Sequence, residues 1–508
     1  MKTTRRTLLK AGLAGAAIQF MSVPGRAQAP NGTLRFGLSA FPPNLQPWVG
    51  TGTSAGTVKS LIHRSLVAFD SKGNLRGELA TAWSIDAEGA WVFSLRQDAV
   101  FHNGEPVTAE DVKWSIEQIA AEKSTAYMRA QFQRVAKIEI VDPQTIRLIT
   151  TEPQATLPLW FANYDVFIIW RKSTENEPIG AGPFRLVGQE RGTSLDLEAF
   201  DKFYKPGLPK LKSIKFVVYA DENLRQAALM SGDIDIIEYV PWQSMAAVEK
   251  SASTKLDAVE GPFMYIVFNA TKAPFNDVRV RRAVAHAVNR DDIVKAVFFG
   301  RGKKLEGIPI VEGTPWYDAD LAHGWKYDPT RAKALLAEAG FPDGFQTTLL
   351  ATAQYGMHKD TAEVVQQHLA AIGINCELRL PDWPTRVSLG RSGQYDIAIH
   401  GNAADNNDPD GLTAVLDTSR PPTHGLSFGL KAPRTIAGLA AGRAEFDQDK
   451  RVAIYREMQR AAIEEVPMVG LAWRSQGYGM LKSVKDFSNL PGALTIFSGA
   501  TLEETYFA

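Results

Sequence analysis

The stretch Leu75–Glu117 constrains this chain most, because it joins a strand, a tight turn and a capped helix in a fixed order. Trp91, Phe93 and Leu95 recur with the period of two that marks a half-buried strand. Asn103-Gly104 predicts the positive backbone dihedrals of a tight turn. Thr108 stands three residues before Asp111, an acidic variant of the capping box, and Val112, Ile116 and Ile119 follow on one helical face. A helix laid on a sheet is the unit these signals define.

The first residues carry Arg5-Arg6, then an apolar, Ala-rich run from Ala11 to Phe20 and small residues at Ala27 and Ala29. Residues 1–29 read as a twin-arginine export signal, with an ordinary basic leader on the general export route as the alternative. Cleavage fits after Ala29, where Pro30 would follow the scissile bond, or after Ala27. No Cys lies near the cleavage region, so no lipid anchor is expected. Later in the chain no segment reaches the roughly 18 consecutive apolar residues of a spanning helix, and a soluble periplasmic protein is the expectation. Removing the leader takes away five basic residues and no acid, from 56 to 51 against 56 acids. That mildly acidic balance, without a clustered basic face, excludes a nucleic-acid partner. Cys376 is the only cysteine, so no intramolecular disulfide can form. At ~150 residues per domain the 508 residues suggest about three units.

Strand-like runs at 33–38, 91–95, 145–150, 194–198, 213–219 and 265–269 alternate with helical segments, which predicts a mixed α/β fold. A helix after Asp221 should end at Ser231-Gly232, Asn276 or Asp277 should cap the next, and Asp328-Pro329 should open one that stops at Gly340. A helix over 361–372 is followed by Gly373, by the alternating strand Ile374–Leu380, and by a strand at 395–400 that runs into the polar loop 403–411. Open α/β sheets bind ligands beyond the carboxyl ends of strands, which makes that loop the best-placed candidate site.

Six separated segments carry a family resemblance: Leu66–Asp70, Gly180–Phe184, Ala227–Asp235, Phe268–Ile293, Asp328–Gly344 and Gln394–Leu412. Together with Leu75–Glu117 they resemble the family 5 extracytoplasmic solute-binding proteins, the dipeptide, oligopeptide and nickel receptors of ABC importers. The resemblance implies a two-lobed periplasmic-binding-protein clamp with an extra subdomain in the first lobe and two chain crossings. It implies a first lobe of residues 30–58, 178–269 and 480–508, an extra subdomain of 59–177 and a second lobe of 270–479, with hinges near Asn269–Pro274 and Gly477–Leu481. It also implies a monomer that binds a small molecule or peptide, delivers it to an ABC permease and ATPase complex, and catalyses nothing.

The same resemblance implies ligand-binding roles. Thr53 and Ser54 match a G-T-S segment that lines the cleft, and Asp405 falls where peptide receptors place the carboxylate that meets the ligand's ammonium. Asn407 lies in the same loop, and Trp383 falls where relatives put a cleft wall. Phe263 and Tyr265 precede the expected hinge and are candidate lining residues. Tyr355 matches a family Tyr, but Ala353 stands where dipeptide receptors carry the Arg that clamps the ligand carboxylate. Arg386, Lys359 or Arg474 could substitute, or the ligand is longer than a dipeptide, or it is not a peptide but a sugar, an opine or a metal chelate. Competing readings of the residues are a G-x-S-x-G nucleophile elbow at Gly52–Gly56, which would make an exported serine hydrolase of Ser54, a calcium loop at 405–411, and a solvated Asx-rich turn there. The loop fails the EF-hand pattern at Pro409, Asp410 and Leu416. The eight His show no metal-binding spacing, and neither a metal nor a cofactor is expected.

Overall fold

The computed structural model describes residues 31–174 and 177–508. The proposed export signal lies outside them. Among these residues no helix is long and apolar enough to cross a membrane.

One sheet of eleven strands runs through the molecule. Its middle is a pair of long antiparallel strands, Thr254–Phe268 and Val469–Leu481. At one end of this pair, Met480 and Gly479 meet Ile236–Ile237, which continues through Thr33–Leu38 to Ser213–Val218, Ser194–Ala199 and Phe184–Glu190. At the other end, Phe263–Phe268 pairs with Ile397–Asn402, the parallel strands Phe345–Leu350 and Ile374–Arg379 follow, and the short strand Gly302–Lys304, paired with Ala472–Arg474, is the eleventh. The two long strands therefore belong to both halves of the protein and carry the chain across twice.

Between the halves the register of the pair slips from Glu260 to Phe263, opposite Ser475 and Trp473. Gly261 and Pro262 occupy the bulge. A Cβ at position 261 would lie 1.9 Å from the Gly492 carbonyl oxygen, so only glycine fits. Pro262 is tolerated because a bulge leaves its nitrogen without a ladder bond to make.

Each half has its own apolar interior. Leu34, Phe36, Phe216, Tyr478 and Met480 fill the first, and Ile266, Val280, Val284, Leu335, Leu349 and Ile397 fill the second. A third core belongs to a four-stranded antiparallel sheet in the order Ala80–Ile85, Trp91–Leu95, Thr145–Thr150 and Val135–Asp142. The helix Ala109–Ala120 buries Val112, Ile116 and Ile119 in that core. Its capping box is formed by Thr108 and Asp111. Of the turn residues, only Gly104 takes a positive φ, of 87°. The helix Thr53–Ile62 packs on the C-terminal 3-10 segment Gly492–Glu503, and the expected boundary between residues 58 and 59 falls within this helix.

Helix ends follow their chemistry. The Asp221 carboxylate accepts from the Asn223 and Leu224 amides to open Glu222–Ser231, and Gly232 closes it at φ 82°. Asp277 caps Val278–Ala287, and Asp328 with Pro329 opens Pro329–Glu338. The helix expected over 361–372 spans Gly356–Ala370 instead. Its first turn has no side-chain cap and starts on glycine, so no local signal marks it.

A buried charge network joins the C terminus to the rest of the first half. Glu503, with no exposed side-chain surface, accepts from Arg64, Arg76 and Lys205, while Glu78 takes Lys205 at 2.6 Å and the Tyr204 hydroxyl at 2.5 Å.

Candidate ligand-binding site

The two halves meet around a cavity of about 940 Å3 whose walls include Ser39, Tyr239, Trp242, Tyr355 and Arg474. Contacts across the gap hold it closed. Arg301 pairs with Glu249 at 2.6 Å, Phe298 packs edge-on to Trp242 at 5.0 Å, and the Thr156 hydroxyl donates to Asp410 at 2.7 Å.

On the first-half side, the segment Gly52–Gly56 forms the start of the helix Thr53–Ile62 after a loop, not the strand-to-helix elbow that an α/β hydrolase needs. The Ser54 hydroxyl donates to Glu238, which also accepts from the Ser39 amide at 2.8 Å and the Ser39 hydroxyl at 2.6 Å. Ser54 is thus tied to a buried carboxylate that fixes the rim of the cleft. The neighbouring Tyr239 takes φ 53°, a left-handed conformation that is costly for a tyrosine, and its hydroxyl meets the Thr53 side chain. Burial, then the Glu238 charge, pushes the Tyr239 phenol up to about 12. It is a neutral hydrogen-bonding group at any physiological pH.

On the second-half side, Trp383 opens the helix Trp383–Arg391, capped by Asp382. Its ring lies parallel to His400 at 6.3 Å and edge-on to Tyr355 at 5.3 Å, His424 at 5.5 Å and His358 at 5.6 Å. This aromatic wall brings together three histidines from distant parts of the chain. Burial, reinforced by Arg386, depresses His358 to about 3, His424 to about 4 and His400 well below its ordinary value, so all three are neutral. Arg386 donates to the carbonyls of His424 and Ile399, at 2.8 and 2.7 Å. Among the described residues no group of three or more His, Cys, Asp or Glu is arranged to hold a metal ion.

Asp405 begins the loop after the strand Ile397–Asn402, its amide bonded to the Gly411 carbonyl. Its carboxylate makes no hydrogen bond or ion pair among the described residues, and Tyr164, across the cleft, feels its charge. The residue is half-buried. Burial pushes it up to about 6, against the pull of Arg420 and with the push of Asp410. The other acids of the loop are matched: Asp408 pairs with Arg451 at 2.9 Å and Asp410 with Arg443 at 2.7 Å.

Three expected site residues have interior or bracing positions. Phe263 and Tyr265 have no exposed surface, because their strand is central in the sheet and covered on both faces. The Tyr265 hydroxyl donates to the Gly425 carbonyl at 2.9 Å, and its ring backs His400 at 5.3 Å. Both support the wall from behind. Asn407 donates from its side-chain Nδ2 to the Pro491 carbonyl at 3.0 Å and accepts at Oδ1 from the Ala493 amide at 2.9 Å, so it braces the C-terminal segment against the loop. The structure brings Thr53, Ser54, Trp383 and Tyr355 to the two sides of the cleft and sets Asp405 opposite Tyr164. Glu238, Tyr239 and the histidine trio were not signalled by local sequence, since nothing near them has ligand-like spacing.

Comparison with known proteins places this arrangement. The profile of "Bacterial extracellular solute-binding proteins, family 5 Middle" matches residues 74–423. The solved structure of the binding protein AgaA from A. tumefacien R10, in complex with agropinic acid, is 38% identical with a TM-score of 0.82, covering 94% of this chain and 99% of that one. Glutathione-binding protein GsiB of Pectobacterium atrosepticum is 26% identical over 479 residues, 91% of this chain and 92% of the relative. The Helicobacter pylori binding protein DppA, in complex with peptide STSA, shares the fold at TM-score 0.77 and 23% identity, covering 94% of this chain and 98% of that one. The chain belongs to the family 5 bacterial extracellular solute-binding proteins. It is the extracytoplasmic receptor of an ABC importer, which captures a solute for delivery to a permease and is not an enzyme.

Proposed function

We propose that this receptor captures an amino-acid-derived solute, a peptide or an opine, through a cationic nitrogen held by Asp405. The observation that carries the reading is the Asp405 carboxylate, enclosed by protein and without a protein partner while its neighbours Asp408 and Asp410 are paired. An enclosed charge kept unpaired costs stability, and a ligand of opposite charge offsets that cost. Similarity to a receptor named for glutathione and to one solved in complex with agropinic acid supports an amino-acid-derived class. Thr53, Tyr239, Tyr355 and Trp383 would flank the solute. The Arg missing at Ala353 disfavours a dipeptide gripped as dipeptide receptors grip it.

The first lobe, in this reading, comprises residues 31–62, 178–261 and 476–508, the extra subdomain 63–177 and the second lobe 262–475. The bulge at Gly261-Pro262, with Trp473–Ser475 opposite, serves as the hinge. The protein works as a periplasmic monomer. Small-angle scattering should show a smaller radius of gyration on addition of the cognate solute, identified by native mass spectrometry of protein purified without denaturation. An unchanged scattering curve at saturating solute would count against the clamp.

Export follows the twin-arginine route. Changing Arg5 and Arg6 to Lys should abolish periplasmic accumulation without lowering synthesis, because the pair is recognised by a receptor and Lys keeps only the charge. Undiminished export would point to the general route.

A further inference from the structure

We propose that Arg474 is the anion anchor of this receptor, a guanidinium on the wall of the interlobe cavity that takes a carboxylate of the solute in place of the arginine absent at Ala353. The proposal rests on the reading of this cleft as the solute site. Buried arginines elsewhere in the protein are visibly employed. Arg64, Arg443 and Arg451 face carboxylates, while Arg225, Arg281, Arg290 and Arg386 donate to backbone carbonyls. Arg474 is half-buried and does neither. Its guanidinium has no hydrogen bond and no ion pair among the described residues, its Nε is shut off from solvent without a partner, and its carbon lies 5.9 Å from the centre of the Trp242 ring. Burial lowers it to about 10, eased by the nearby Tyr239, so it remains a cation at neutral pH. The other substitutes are occupied: Lys359 is an exposed partner of Glu363, and Arg386 holds two carbonyls.

The position suits recognition. Arg474 lies on a strand shared by both lobes, beside the bulge at Glu260–Phe263, where its backbone pairs with Gly302. A guanidinium offers a planar pair of N–H donors that matches a carboxylate, which lysine cannot reproduce. With Asp405 it would select solutes carrying both signs of charge.

The test titrates the mature protein with glutathione, succinate and the uncharged diamide succinamide, following tryptophan fluorescence and heat. Wild type should bind the two carboxylates in preference to succinamide. Arg474→Gln should weaken both carboxylates by about 30-fold or more, the loss seen when one member of an enclosed charge pair is removed. Arg474→Lys should recover only part of this. Without solute, Arg474→Gln should melt at the same or a higher temperature, because it removes an uncompensated cation; a purely structural arginine would lower the melting point. Asp405→Asn should weaken glutathione and leave succinate unchanged. Failure of the Asp405 reading alone would therefore appear as an unchanged glutathione affinity in that variant. Equal carboxylate affinities for wild type and Arg474→Gln, or no saturable carboxylate binding by wild type, would overturn the anchor.

Discussion

Replacing Glu503 by Gln should lower the unfolding free energy by about 3–5 kcal/mol, the cost of breaking a buried ion pair from one side. Three cations converge on this fully buried carboxylate, Arg76 at 2.8 Å, Lys205 at 2.7 Å and Arg64. Gln keeps the size and removes the charge, leaving Arg64, with 5% of its side chain exposed, and Lys205 to share Glu78. The network also ties the C-terminal segment to the hairpin of Arg76 and Glu78, so the loss should spread to the packing of the helix Thr53–Ile62 on Gly492–Glu503. The effect has a definite pH dependence. Burial alone would raise the Glu503 carboxyl, but Arg64, Lys205 and Arg76 outweigh it and hold the group down to about 2, from an ordinary 4.5. A depressed folded-state value means that the stabilisation is fully present above about 4.5 and is lost as pH falls toward 2. Urea unfolding should accordingly give a constant difference between wild type and variant from pH 5 to 8, and a shrinking one at pH 3. A difference below about 1 kcal/mol at pH 7 would mean that the network is not acting as a buried ion cluster.

Much of the fold was legible because local chemistry and tertiary structure agree. The Thr108–Asp111 box, the Asp221 and Asp328 caps, Gly232 and the alternation of Ile374 and Cys376 all mark elements where they occur. The long strand Thr254–Phe268 was legible only over its last residues. Its first half is polar and carries Gly261-Pro262, which reads as a break, and the bulge that accommodates both residues depends on the partner strand and on Gly492. For the same reason the hinge proposed here lies at the bulge rather than near residue 269.

The proposed site draws on two expectations read from the sequence, the loop after the strand Ile397–Asn402 and the family positions of Thr53, Trp383 and Tyr355. Burial of Phe263 and Tyr265 was not legible, since an apolar run before a loop looks alike whether its strand is central or at an edge. His358, His400 and His424 lie too far apart in sequence to suggest a shared wall. Tyr239 adopts a conformation that its side chain disfavours, so only the fold places it. Arg474 differs from the buried arginines in being half-buried and in lacking a protein partner among the described residues.

Asp405 is proposed to grip a cationic group of the solute in the cleft, and calorimetric titration of wild type and Asp405→Asn with the co-purified solute tests this most directly. Asn keeps the shape of the side chain and can still serve a turn, so only the charge is changed. If the carboxylate meets a desolvated ammonium, affinity should fall by about 2–5 kcal/mol. The free carboxyl lies at about 6, so binding should also require its ionisation. Wild-type affinity should be level above pH 7 and decline below pH 6, by about tenfold per unit, while the variant stays flat. The three wall histidines do not titrate in this window. Without solute the sign reverses: a raised carboxyl destabilises the folded state above pH 6, so Asp405→Asn should be the more stable protein there and lose that advantage below pH 4. A loss of about 2 kcal/mol or more that vanishes in acid is the predicted result. A loss below about 0.5 kcal/mol, or a co-purified solute without any cationic group, would contradict it.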